Sequence, residues 1–159
     1  MIIAGIDPGL SGAVAILHGD GTLLNVFDIP TVEEAHGKGS RQRVAPALLH
    51  DELIGDVRIS VAYIEHVASS PQMGVTSAFR FGEAFGATVA VLQTCGIRTE
   101  LVRPAMWKKA MGLNSEAEVS RAKALELWPD SSSFFKRKMD HNRAEAALIA
   151  EYGRRIARG

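Results

Sequence analysis

Apolar residues fill positions 2–6 without a break, and one carboxylate, Asp7, ends the run before Pro8-Gly9. A short continuous apolar run bounded by turn residues predicts a buried strand. Residues 12–18 (GAVAILH) predict a second strand and residues 22–29 (TLLNVFDI) a third. His18-Gly19-Asp20-Gly21 between them is a hairpin signal, so the three form a meander. The stretch 30–41 is polar and carries glycines, which predicts a mobile loop. Residues 43–55 are helical by periodicity, with Leu48, Leu49, Leu53 and Ile54 on one side.

ISVAYIEHV (59–67) predicts a fourth strand, apolar until Glu65. A loop then leads into a long helix over about 73–94, ended by Gly96. Residues 97–102 predict a fifth strand, and Pro104 opens a short helix holding Trp107, Lys108 and Lys109. Ser115 and Glu118 stand at capping-box spacing ahead of the next helix, which Pro129 stops. Residues 130–138 predict a polar, basic loop, and 141–157 a last helix with Ala144, Leu148, Ile149, Tyr152 and Ile156 on its apolar side. Three strands followed by alternating helices and strands predict an α/β fold: a mixed five-stranded sheet flanked by helices on both faces. At 159 residues with no linker, the chain is expected to be one domain, 1–159.

Composition narrows the function classes. One cysteine, Cys95, excludes an internal disulfide and suits a reducing, cytoplasmic setting. Asp7 interrupts the first apolar run, and no basic segment precedes it, so no secretory leader is expected. No apolar run is long enough for a membrane span. The 18 basic and 18 acidic residues cancel, but the last third is locally basic, with Lys108, Lys109, Lys136, Arg137, Lys138 and Arg143 near its acids.

Four of those acids stand where chemistry can use them: Asp7 and Glu65 at strand ends, Asp140 at the start of the last helix and Glu145 in its first turns. Gathered together, four carboxylates cannot all ionise without cations. Oxygen-only ligands favour Mg²⁺ or Mn²⁺, and two such ions form the clamp for phosphodiester hydrolysis. Each acid also has a local alternative. Asp7 suits an Asx-turn, Glu65 an ion pair with Arg80 or Lys108, Asp140 a helix N-cap, and Glu145 a surface position beside Arg143 or Arg154. His141 and Asn142 share a helix face with Glu145, and Asp140 does not unless it precedes the helix. His141 is either a ligand or base, or a solvated helix-start residue.

Taken together, GIDPGLSGAVAI, AYIEHV, SAFRFGEAFGATVAVLQTCGI, VRPAMWKKAMGL and DHNRAEAALIAEYG resemble, in order and spacing, the RuvC family of Holliday junction resolvases in the ribonuclease H-like superfamily. The last segment is in a form associated with phage members. The resemblance implies a homodimeric, Mg²⁺-dependent endonuclease that resolves branched DNA by paired nicks, in recombination and repair. It places the metal ligands on Asp7, Glu65, Glu145 and one residue of the Asp140–Asn142 stretch. Two departures stand out. Asn142 occupies the place where the family has Asp or His, so Asp140 or His141 is the expected fourth ligand. HVASS follows Glu65 without the aromatic that many members use to part bases.

Lys108, Lys109, Lys136, Arg137, Lys138 and Arg143 are the expected DNA contacts, with Phe134-Phe135 either stacking on a base or packing as core. Gly74, Gly82 and Gly86 permit close helix packing, within the chain or between copies. Three other readings compete: a ribonuclease H- or YqgF-like enzyme acting on RNA, a sugar kinase or actin-like ATPase, and a non-catalytic branched-DNA-binding module. The kinase and ATPase folds need two such domains and have no use for Glu145. Retained acids in a binding module would repel DNA.

Overall fold

The computed structural model describes residues 1–158 except Val67, Ser69 and Ser115. The meander forms as predicted: β1 (Ile2–Asp7), β2 (Ala13–His18) and β3 (Leu23–Asp28) are antiparallel neighbours. On its other side β1 pairs in parallel with β6 (Val61–Glu65), and β6 in parallel with β7 (Arg98–Val102). The sheet order is β3-β2-β1-β6-β7, with β1 central. This is the mixed five-stranded α/β sheet expected from the element order.

Successive residues of a strand point to opposite faces. Ile3, Leu17 and Tyr63 pack on one face against α5 (His141–Arg158) and the helices α3 (Pro104–Ala110) and α4 (Ala117–Leu127). Ile6, Ile16 and Ile64 pack on the other against α1 (Pro46–Leu53) and α2 (Val75–Thr94). The α5 backbone lies directly on β1: a methyl group at Gly5 would overlap the Ala146 carbonyl and the Ala150 amide, and one at Gly153 would overlap the Tyr63 ring. Small residues at these contacts fix the depth and register of α5 over β1.

The stretch 30–41 is not a loop. Thr31–His36 (β4) and Gly39–Val44 (β5) form a separate two-stranded hairpin. Its turn uses Gly37 at φ 60°, a conformation glycine adopts without cost. The hairpin has no continuous apolar side because arginine–glutamate pairs support it. Arg43 reaches Glu34 at 2.9 Å and Glu83 of α2 at 2.9 Å. β5 takes residues predicted for the following helix, which starts instead at Pro46, whose missing N–H suits a first turn. The basic stretch 130–138 is likewise structured, as 3₁₀ turns over Pro129–Phe135 and Lys138–Asp140. The predicted Ser115 cap lies outside the described residues. Among the described residues no helix is long and apolar enough to cross a membrane.

Candidate active site

Asp7 and Glu65 are the last residues of two parallel, adjacent strands. The register Ile6↔Ile64 carries the two carboxylates to neighbouring positions at one sheet end. Both line a pocket of about 450 Å³ whose rim includes Gly9, Ser11, Arg80 and Asn142. Carboxyl ends of parallel strands are where α/β sheets place their sites, because the chain leaves the sheet there and opens a crevice. Glu145 comes from the opposite layer. The close seat of α5 on Gly5 brings its first turns over the end of β1.

The three charges feel one another. Desolvation first, then the carboxylates of Glu145 and Glu65, push the Asp7 carboxyl well above its ordinary range; Lys108 opposes them. Burial also raises Glu65, against a hydrogen bond that Trp107 Nε1 donates to its Oε1 at 2.8 Å. Glu145 Oε1 receives Lys108 Nζ at 3.1 Å and the Ser120 hydroxyl at 3.1 Å. Lys108 also lies 5.1 Å over the Trp107 ring. One ammonium therefore faces three acids, a surplus of negative charge that the raised Asp7 carboxyl reports.

That surplus is the test of whether a cation suits the site. The donors are all carboxylate oxygens, which match a hard divalent ion, and the one cation in contact with any of the three among the described residues is the Lys108 ammonium on Glu145. Among the described residues no three His, Cys, Asp or Glu side chains are gathered closely enough to hold an ion as they stand. Trp107 holds Glu65, and Lys108 and Ser120 hold Glu145, so binding an ion requires these acids to exchange hydrogen bonds for metal bonds.

Asp140, an expected fourth ligand, is not among the residues lining the pocket of Asp7 and Glu65. Its buried carboxylate accepts from the Arg137 backbone N–H at 2.8 Å and from Arg137 Nε at 2.9 Å, closing a capping box that starts the turn into α5. Arg137 holds it below the usual carboxylate range. The N-cap alternative is the one realised. His141 faces the Lys138 carbonyl, Nδ1 to O 3.4 Å, and is not among the residues lining the acidic pocket.

Asn142 does line the pocket of Asp7 and Glu65. Its Nδ2 donates to the Ser11 carbonyl at 2.6 Å, which pins the side chain across the mouth of the pocket and leaves Oδ1 without a partner among the described residues. The helical i−3 relation to Glu145 already put Asn142 on that face. Ser120 and the indole N–H of Trp107 carried no comparable signal, because their partners come from elements far apart in sequence.

The basic residues divide. Arg143 is paired with Asp28 by two bonds of 2.6 and 2.7 Å, and Arg137 with Asp140, in the DNA-free chain. Lys109, Lys136 and Lys138 are exposed and form no ion pair among the described residues. Phe135 is fully buried and Phe134 packs beside it, so these rings are core. A side chain at Gly74, Gly82 or Gly86 would meet nothing within the chain, which removes the intrachain packing role.

No protein-family model matches the chain, and no curated protein sequence matches it significantly. Solved structures do. A Thermus thermophilus RuvC in complex with a Holliday junction substrate superposes with a TM-score of 0.63 at 15% identity, over 98% of this chain and 96% of that one. A second Thermus thermophilus RuvC structure gives a TM-score of 0.57 at 16% identity, over 99% and 97%. At such identities the likeness is one of fold, and it extends over the whole of both chains.

Proposed function

We propose that this protein is a metal-dependent endonuclease acting on branched DNA, in the manner of a junction resolvase. The observation that carries the reading is the pair of carboxylates, Asp7 and Glu65, on one pocket, with the Asp7 carboxyl pushed up by burial and by the nearby charges of Glu145 and Glu65. A structural role gives no reason to gather three acids with one ammonium between them. What supports branched DNA as the substrate class is the whole-chain likeness of fold to a protein solved with a Holliday junction.

Asp7, Glu65 and Glu145 would hold Mg²⁺ or Mn²⁺, with the Asn142 carboxamide oxygen as a neutral fourth donor. Such ions supply an acidified water and charge neutralisation at the phosphate when bound. The chain's own groups do the rest. Trp107 and Ser120 hold Glu65 and Glu145 beside the site in the free chain and would release an oxygen of each to an ion. Lys108, at the edge of the acids, is placed to meet a phosphate oxygen. Lys109, Lys136 and Lys138 hold the flanking backbone, which makes binding fall steeply with salt. Paired nicks require two sites, so the acting species is a homodimer.

The test is cleavage of end-labelled four-way junction, linear duplex and RNA–DNA hybrid, with Mg²⁺ or EDTA and an Asp7→Asn control. Symmetric, Asp7-dependent nicks near the crossover support the reading. Cutting of the hybrid alone moves the protein to ribonuclease H chemistry. Tight junction binding with no cutting leaves a binding module.

A further inference from the structure

Three cations in a row, Lys136, Arg137 and Lys138, follow the 3₁₀ turn Pro129–Phe135. The last carbonyls of a helical turn have no partner within it and need a donor from outside. Arg121, from α4, is that donor. Its Nη1 donates to the Phe135 carbonyl at 3.0 Å and to the Lys136 carbonyl at 3.4 Å. One carboxylate holds the rest of the guanidinium: Nε donates to Glu118 Oε2 at 3.1 Å, and Nη2 to Glu118 Oε1. The planar fork makes both sets of bonds at once, which a lysine ammonium does not. Ser120, the preceding residue of α4, is fully buried and donates to Glu145 Oε1 at 3.1 Å. Consecutive residues of one helix therefore touch an acid of the candidate site and the backbone that carries the lysines.

We infer that Arg121 is a positioning residue: clamped by Glu118, it fixes the Lys136–Lys138 turn relative to Glu145 and so sets which phosphate of a bound strand lies over the acids. This rests on the proposed reading that the turn holds DNA. Backbone contacts carry no sequence information, but they fix the register of a protein on its strand. Charges along one strand follow each other every ~3.4 Å of helix axis, so a turn free to shift by that much offers the acids more than one bond to cut. The turn has anchors at both ends, the buried Phe135 ring before it and the Arg137–Asp140 capping box after it. Arg121 holds the peptide units between them, and it does so from the helix that also holds Glu145.

The experiment uses the full chain and an end-labelled four-way junction, reading cut positions in Mg²⁺ and affinity over a range of salt in EDTA. Arg121→Lys keeps the charge and loses the fork. It should spread the nicks over two or more adjacent bonds and lower the slope of log affinity against log salt by about 1–2, as the two lysines lose their phosphates. Glu118→Ala supplies the sign. Removing an acid beside DNA tightens binding if charge alone matters, whereas removing the anchor of Arg121 should weaken it a few fold and spread the cuts. Arg121 is partly exposed and Glu118 exposed, so both variants should fold, with melting as the check. Native cut positions and native slope in Arg121→Lys overturn the inference, and so does tighter binding in Glu118→Ala. Lys136→Ala keeps the two proposals apart. A lower slope there with a native slope in Arg121→Lys leaves DNA on the turn and removes the positioning role. Binding without any cutting removes the nuclease, and the slope of Arg121→Lys still decides the positioning. An unchanged slope in Lys136→Ala takes DNA off the turn and overturns the inference with it.

Discussion

Lys108 Nζ lies 3.1 Å from Glu145 Oε1, the same oxygen that the Ser120 hydroxyl reaches. A side-chain cation thus sits on one of the three acids and lowers the protonation of the other two. Replacing it by a neutral isostere has two separable effects. Lys108→Met should bind Mn²⁺ more tightly than the native chain by calorimetry, because no ammonium competes for Glu145. The same variant should cut junction about 10²–10³-fold more slowly, the usual loss when one preorganised charge is removed from a phosphate. Weaker Mn²⁺ binding would show that Lys108 organises the acids rather than competing for them.

Asp7 makes the metal-free protein sensitive to pH. Its carboxyl is raised, so the folded chain binds the proton more tightly than the unfolded chain does. Stability is therefore least affected below the ordinary Asp range and falls as pH climbs through the window up to the raised value. Glu65 acts in the same direction. Asp140 and Glu151 act oppositely: both are lowered, and their contribution is lost as pH falls. The difference between native and Asp7→Asn chains isolates the first effect. In EDTA at neutral pH Asp7→Asn should melt higher, at roughly 2–4 °C per kcal/mol of relieved repulsion, and the gap should close in acid. Mg²⁺ should raise the native melting temperature and leave the variant unmoved. A variant that melts lower at neutral pH would make Asp7 a structural residue.

The sheet was legible because its signals are local. Apolar runs ending in Asp7 and Glu65 mark strands and their ends without any knowledge of the fold, and α5 shows its helical spacing over 141–157. The hairpin was not, since its support is Arg43 with Glu34 and Glu83, contacts that leave no apolar alternation to read. Asp140 misled for a related reason. An acid at a helix start has the same sequence signature whether it caps the helix or faces a pocket, and only the Arg137 contact, three residues back, decides.

That contact gives a discriminating pair of variants. Asp140→Asn leaves the Arg137 guanidinium without its carboxylate, so it should lower stability by about 1–3 kcal/mol, yet keep junction cleavage within a few fold. Asn142→Asp adds a fourth carboxylate to the pocket. It should destabilise the metal-free chain, tighten Mn²⁺ binding and preserve cutting. Loss of cleavage in Asp140→Asn at a temperature where the variant is folded would return Asp140 to the site.

Gly5 tests how the third acid is positioned. An added methyl meets the α5 backbone at Ala146 and Ala150, not a movable side chain, so the helix must shift. Overpacking of this kind costs about 1–3 kcal/mol or more. Gly5→Ala should therefore melt lower and cut junction at least tenfold more slowly, since the shift carries Glu145 away from Asp7. The control is Gly82→Ala, where a methyl meets nothing in the chain and helix propensity favours alanine by roughly 1 kcal/mol. A Gly5→Ala protein with native activity would mean that α5 can rise from the sheet without moving Glu145.

The basic residues predict a split in salt dependence. Lys136 and Lys138 are exposed and unpaired among the described residues, while Arg143 is clamped by Asp28 in a bidentate pair. The Asp28 carboxyl is held down by that contact, so the pair persists at neutral pH. A lysine that meets a phosphate releases counterions, and its loss lowers the slope of log affinity against log salt by about 1. Lys136→Ala and Lys138→Ala should each show that change in junction binding measured in Ca²⁺ or EDTA, with stability unaltered. Arg143→Ala should leave the slope unchanged and cost only the small stability of a partly exposed ion pair. A lower slope in Arg143→Ala would mean that the guanidinium leaves Asp28 for DNA on binding, and that the free chain keeps this contact masked.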